Sequence, residues 1–486
     1  MSKEITNLEP KKLWGFFYDL TQIPRPSKHE AKAVEYLKKF GEDLGLETIV
    51  DEFGNVIIKK PAVEGMENRK GVILQGHIDM VPQKNSSKVH DFTKDPIETY
   101  IDGEWVKANE TTLGADNGIG VVAAMAVLAS NDIVHGPIEA LFTVDEEAGM
   151  TGAFGIKAGL LDGDILINMD SEDEGELCVG CAGGVDANIT FTYNEVPVPE
   201  AMIALKISVS GLKGGHSGLD IALGRGNSNI ILNRFLRWGE RHYGLRLANI
   251  DGGSLRNAIP RESSAIVVIP AAKKNDVFEC LEKFKSIIKN EIGTVETDFN
   301  MLVIECDMPA CLIDEDTQKR LFNSIHACPN GVMRMSTDME NLVETSTNLA
   351  IVKSENGKII IQCLLRSAVE TAKEDLANKV CSVFELAGAE ILIEGGYPGW
   401  KPNPNSPILK TMQDVYNKKF GKIPGIIAMH AGLECGILSS NYSHWDMISI
   451  GPTIRFPHSP DEKVHIESVK KFYDFLLESL KSIPVK

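Results

Sequence analysis

The sequence predicts an α/β fold: a helix-covered mixed sheet in one domain, interrupted by a large inserted α+β domain. Three observations predict it. Short apolar runs alternate with amphipathic helical patterns over residues 1–194, as in a sheet covered by helices. Past residues 194–199, where Pro197 and Pro199 mark a linker, long helices lie between strands and clustered acids become few. A Gly/Pro/Asn-rich stretch over 395–406 then closes the insert. The expected organisation is a discontinuous main domain, 1–194 with 396–486, around an inserted domain at 195–395.

Residues 29–44 place Ala31, Val34, Leu37, Phe40 and Leu44 at helical spacing, which makes an amphipathic helix. Strands follow at 72–74, 138–143 and 165–168, and each runs into ionisable residues: His77 and Asp79, then Glu146 and Glu147, then Asp170. Open α/β sheets bind ligands beyond the carboxyl ends of their strands, so three such endings can meet in one crevice. Between the first two strands, 119–128 reads as an apolar helix. The insert reads as strand 205–210, helix 228–243, strand 265–269, helix 276–292, strand 358–365 and helix 372–387. That order suits a repeated α+β sandwich, two ferredoxin-like halves, with Asn257-Ala258-Ile259 and Asn348-Leu349-Ala350 as short traces of a duplication. The last segment adds helix 408–419, strand 447–450 and helix 466–480, and it carries His458.

At 486 residues, the chain has length for about three domain-sized units, or two with one enlarged. Its 43% hydrophobic and 24% charged residues are those of a globular protein with a sizeable core. Lys plus Arg number 50 against 68 Asp plus Glu, and the resulting charge of -18 would repel nucleic acid and anionic membrane alike. No run of 18 apolar residues occurs, and residues 1–12 are polar rather than a secretory core, so a cytoplasmic location is expected. The nine cysteines are scattered, with one C-x-x-C spacing at Cys178 and Cys181, and read as reduced thiols.

In His77-Ile78-Asp79 the two-residue strand period puts imidazole and carboxylate on one side, where the first can bind a metal and the second orient it. The plain alternative is a surface histidine beside an aspartate. Asp116, within Leu113-Gly114-Ala115-Asp116-Asn117-Gly118, is either a helix cap or a ligand. Gly118-x-Gly120-x-x-Ala123 imitates a dinucleotide fingerprint, but residues 107–112 are mostly polar where that fingerprint needs an apolar strand. The carboxylates of Asp145-Glu146-Glu147 would repel one another unless cations or protons neutralise them. Neighbouring side chains point apart, so one glutamate can bind metal while the other faces a reacting water; a solvated acidic loop is the plain reading.

Only Asp170 of the acidic run 170–174 abuts its strand, and His458 lies in a proline-bracketed loop at 455–462. The set His77, Asp116, Glu147, Asp170 and His458 has the mixed nitrogen and oxygen character that zinc prefers and related divalent ions accept. Neither His-Glu-x-x-His nor Gly-x-Ser-x-Gly occurs.

With these residues in place, the chain resembles the dinuclear-zinc exopeptidases, and among them the dipeptidases. The resemblance rests on His77-x-Asp79, Gly114-Ala115-Asp116-Asn117-Gly118, Asp145-Glu146-Glu147, Asp170 and His458. The segments 76–82, 145–150 and 211–218, with His430-Ala431-Gly432-Leu433-Glu434-Cys435, extend it over nearly the whole chain. It implies a zinc-dependent dipeptidase acting on unblocked dipeptides, Xaa-His among them, with two Zn2+ per chain and Co2+ or Mn2+ as substitutes. It implies that Asp116 bridges the ions, that His77 with Asp170 and Glu147 with His458 complete the two sites, and that a cis peptide joins Asp116 to Asn117. Glu146 would be the general base and Asp79 the support of His77.

In the insert, then a lid, His216 would stabilise an oxyanion and Arg366 clamp a terminal carboxylate, with Asn257 and His430 as further pocket residues. An N-acyl amino-acid deacylase or a carboxypeptidase would share the metal centre. A non-catalytic metal-binding scaffold would share the fold, but has no need of Glu146. The doubled insert leaves monomer and homodimer both open.

Overall fold

The computed structural model describes residues 3–486. Two compact units divide the chain. The first runs to Gly180 and resumes over Pro402–Ala428 and Leu433–Lys486; the second comprises Cys181–Lys401 and Met429–Gly432.

The first unit is built on an eight-stranded mixed sheet, in the order Glu47–Val50, Val56–Lys60, Ile138–Thr143, Val72–His77, Ile165–Asn168, Asp446–Ser449, Glu176–Cys181, Gly425–Met429. Its four middle strands, Ile138–Thr143 to Asp446–Ser449, run parallel. Ile138–Thr143, Val72–His77 and Ile165–Asn168 are buried along their whole lengths, as parallel strands covered on both faces must be. Because they share a direction, His77 ends level with Thr143 and Asn168 ends two residues earlier, opposite Gln75, and the residues that follow all emerge at one edge. The helix Ala115–Leu128, apolar on nearly every side, packs against Val72–His77, Lys11–Thr21 and Ile466–Lys481. Among the described residues no helix is long and apolar enough to cross a membrane.

The second unit is a nine-stranded antiparallel sheet made of two four-stranded ferredoxin-like halves and a ninth strand, Gly331–Met335, which pairs with Val343–Glu355. Met202–Ser210, Arg246–Gly252, Ser263–Pro270 and Asn300–Glu305, with helices Ser228–Tyr243 and Lys274–Ile292, form the first. Gly183–Thr192, Val343–Glu355, Lys358–Ser367 and Glu390–Tyr397, with helices Glu315–Ala327 and Glu370–Leu386, form the second. In each, the strand order across the sheet is fourth, first, third, second, and the two second strands meet where Asp251 and Gly252 pair with Lys353 and Val352. All four helices join one apolar core with the sheet. The halves are nested rather than consecutive: the whole first half lies between the opening strand of the second and its first helix.

This nesting moves the boundary away from the prolines at 197 and 199. Gly183–Thr192 belongs to the second unit because Val185, Ala187, Ile189 and Phe191 alternate into its core and the strand pairs along its length with Lys358–Ser367. Pro197 and Pro199 instead mark the crossing from one half into the other. The far boundary falls at Lys401 rather than 395, because Trp400 still pairs with Cys181.

Candidate metal centre

His77, the last residue of its strand, is 1% exposed, and its Nε2 faces Asp116 Oδ1 at 3.2 Å and Asp170 Oδ1 at 3.4 Å. On the far side of Asp116, its Oδ2 lies 3.2 Å from Nε2 of the exposed His458, which is also 3.0 Å from Glu147 Oε1. One carboxylate thus serves two groups, His77 with Asp170 and His458 with Glu147. A further grouping places ligand atoms of His77, Glu146 and Glu147 within 4.8 Å of one another, so Glu146 stands beside both. All five predicted ligands and the predicted base come together within the first unit.

Local backbone sets these directions. After Thr143 the chain turns at Asp145, which has φ 56°, and enters the short helix Glu146–Gly149. Asp79, fully buried, holds that entry: its Oδ1 accepts the Glu146 N–H at 3.0 Å and its Oδ2 the Glu147 N–H at 3.1 Å, while Ser27 Oγ donates to Oδ2 at 2.8 Å. The same carboxylate lies 3.3 Å from His77 Nδ1, so it orients the imidazole as well. Asp116 and Asn117 leave helical geometry at the start of Ala115–Leu128, and the peptide between them is cis. The glycines that imitate a dinucleotide fingerprint serve packing: a Cβ on Gly118 would meet Arg25 at 2.8 Å and one on Gly120 would meet the Met169 carbonyl at 2.7 Å.

The electrostatics are those of an acid cluster that needs cations. Burial, reinforced by Asp170, Glu147 and Glu434, pushes the Glu146 carboxyl well above the ordinary range. Burial takes Asp170 up to about 6. Against its own burial, Asp116 is held low by hydrogen bonds with His458 and His77. His458 rises to about 11 through hydrogen bonds with Asp116 and Glu147, and His77, although burial opposes it, rises through Asp170 and its other carboxylate neighbours.

The residues fit a pair of divalent cations. Glu147 Oε1 and Asp170 Oδ1 are buried, and each faces an imidazole nitrogen, at 3.0 and 3.4 Å, with no other hydrogen-bond donor among the described residues. Donors 3.0–3.4 Å apart match the edge of a tetrahedron whose centre lies about 2 Å from each nitrogen or oxygen.

The predicted substrate residues lie in the second unit. Arg366, 4% exposed, donates from Nη1 to Tyr397 Oη at 2.8 Å and from Nε to Ser217 Oγ at 3.4 Å. His216 Nδ1 accepts N–H bonds from Gly218 at 3.2 Å and Leu219 at 3.0 Å, leaving its proton on Nε2, where the ring is a donor. Burial and the Arg366 charge lower His216 to about 4, so the ring is neutral at pH 7. His430, buried, bonds Ser346 through Nε2 at 2.7 Å and is lowered to about 3 by burial and by Arg366. Asn257 differs: it is exposed, and it reaches this cluster through its main-chain carbonyl, which accepts the Ser217 N–H at 2.7 Å.

Sequence reasoning missed Tyr397 and two buried charges beside Asp116, Arg25 and Glu462. Glu462 lies four residues past His458, and that spacing was the one available signal.

Comparison with known proteins agrees with this geometry. The profile of peptidase family M20/M25/M40 matches residues 73–482. The chain is 47% identical to the cytosol non-specific dipeptidase of Escherichia coli (strain K12) over 486 residues, 99% of this chain and 100% of that one. Its structure is similar to that of aminoacylhistidine dipeptidase from Vibrio alginolyticus, with a TM-score of 0.92 and 49% identity over 99% of this chain and 98% of that one. A tripeptidase from Staphylococcus aureus shares the fold at 17% identity and a TM-score of 0.57, over 98% of this chain and 99% of that one.

Proposed function

The chain belongs to peptidase family M20/M25/M40, and on that premise we propose that it is a dinuclear-metal dipeptidase that hydrolyses dipeptides with a free amino end. The observation that carries this reading is Asp116, whose two oxygens face separate imidazoles, each with its own further carboxylate. His77 and Asp170 would hold one ion, His458 and Glu147 the other, and Asp116 both. The donor set suits Zn2+, with Co2+ or Mn2+ as substitutes.

When bound, the ions would supply Lewis acidity, which makes water more acidic and polarises the peptide carbonyl. Glu146, adjacent to both groups and outside the ligand set, takes the proton of the attacking water and returns it to the departing amine nitrogen. Asp79 keeps the His77 ring and the Glu146 backbone in register during that transfer. The neutral His216, with its donor at Nε2, suits a developing oxyanion, and Arg366, held by Tyr397 and Ser217, suits a peptide carboxylate. Asn257 and His430 are assigned to the same substrate cluster, and Xaa-His dipeptides are among the expected substrates. We infer a cytosolic location, as the name of the 47%-identical relative states for that protein.

A free dipeptide should be hydrolysed well and its N-acetyl form poorly. A preference for the acetylated compound in parallel assays would reassign the chain to the deacylases.

Cation loading should also release protons. Both imidazoles hold protons at pH 7 in the cation-free protein, because His458 is raised to about 11 and His77 well above its ordinary value. Ligation needs both rings neutral, so metal affinity should climb as pH rises through 7, with at least one proton released per ring. Titration calorimetry in two buffers of different ionisation enthalpy measures this release; proton-neutral binding would contradict the ligand set.

A further inference from the structure

The segment that carries Asp116 is gripped on both sides by buried charges that are not among the proposed ligands. Glu462, 2% exposed, accepts the N–H groups of Leu113 and Gly114 on Oε2, at 2.7 and 3.0 Å. Its Oε1 accepts those of Ala115 and Asp116, at 2.7 and 3.3 Å. Four successive amides converge on a single carboxylate, which lies on the same loop as His458. Arg25, also 2% exposed, takes the carbonyl side. Its Nη1 donates to Ile78 at 2.6 Å and Asp79 at 3.0 Å, and its Nη2 to Gly114 at 2.6 Å.

Two glycines make room for that guanidinium. Gly114 has φ +69°, and a Cβ there would lie 2.5 Å from Arg25 Nη2; one on Gly118 would lie 2.8 Å from it. Two side chains therefore tie together the segment after His77, the segment ending in Asp116 and the loop carrying His458. These are three of the stretches that supply the ligand set.

We propose that Glu462 and Arg25 are positioning residues of the metal centre, which hold the Asp116 carboxylate at the angle that lets each oxygen serve a different ion. The inference rests on the dinuclear reading above. A bridging carboxylate has little angular freedom, since a rotation that improves one contact spoils the other. Among the described residues its own side chain receives no main-chain N–H and meets only the two imidazoles that would themselves hold the ions, so its aim depends on the backbone from which it projects. Glu462→Gln keeps the shape, but turns an amide NH2 toward amide donors and breaks up to two of the four hydrogen bonds. Arg25→Lys keeps the charge and loses the planar fork that reaches three carbonyls.

The test titrates metal-free wild type, Glu462→Gln and Arg25→Lys with Zn2+ against a chromophoric chelator. It also records the Co2+ absorption spectrum and the melting temperature of each metal-free protein. Wild type is expected to take up two ions. Each variant should bind them about 10- to 100-fold more weakly, as when an outer partner of a metal ligand is lost. The Co2+ band should change, and kcat at saturating metal should fall while KM for a dipeptide stays near wild type. Wild-type affinity and an unchanged Co2+ spectrum, with only a lower melting temperature, would overturn the proposal in favour of a purely structural role. If Glu462→Gln does not fold, Arg25→Lys alone decides between the two roles by the same measurements. Wild type that takes up no ions would dispose of the dinuclear reading, and the positioning role with it.

Discussion

Replacing Glu146 with Gln lowers kcat by about 10²- to 10⁴-fold, the share a positioned proton-transfer group contributes, while two ions remain bound. Glu147, its neighbour, approaches His458 Nε2 at 3.0 Å, whereas Glu146 makes no such approach to His458 and stands between the two groups. Its raised carboxyl pKa arises from burial and from Asp170, Glu147 and Glu434, so cations in the site bring it back toward the range of a working base. The amide keeps the volume and removes the proton acceptor. Metal analysis beside steady-state kinetics separates the outcomes: turnover near wild type removes Glu146 from the reaction, and loss of metal makes it a ligand instead.

Replacing Asp116 with Ala empties both metal positions and takes activity with them. Removing Asp170 or Glu147 costs one group a ligand, but removing Asp116 costs both, because its Oδ1 faces His77 and its Oδ2 faces His458. The loss of affinity should exceed the roughly 100-fold ceiling typical of an outer partner. Inductively coupled plasma analysis after gel filtration in metal-free buffer gives the count. Retention of two ions would break the bridging assignment.

Three of the proposed ligands, His77, Glu147 and Asp170, were legible because parallel strands lead to them. A short apolar run followed at once by His, Glu or Asp is visible locally, and three such endings on one sheet have little choice but to meet. Arg25 and Glu462 left no comparable trace. Their partners are main-chain carbonyls and amides far away in sequence, Leu113 for Glu462 among them, and backbone atoms carry no residue identity to read. The strand Val343–Glu355 was hidden for a different reason. Its opening residues, Glu344-Thr345-Ser346-Thr347-Asn348, look like a polar loop, yet they are buried with strands on either side. Gly183–Thr192 did show its alternation of Val185, Ala187, Ile189 and Phe191, but the prolines just beyond it were the louder signal.

The interleaving of the two ferredoxin-like halves has a consequence for synthesis. Thr192 ends opposite Lys358, so at roughly 5–20 residues per second the ribosome works for about 10 seconds or longer before that partner exists. The enclosed half can complete itself meanwhile, from its own contiguous stretch of chain. The earlier strand waits with an apolar face and an open edge, the condition in which nascent polypeptides stick to one another. Ribosome-stalled fragments ending shortly before residue 358 should therefore be the most dependent on chaperones.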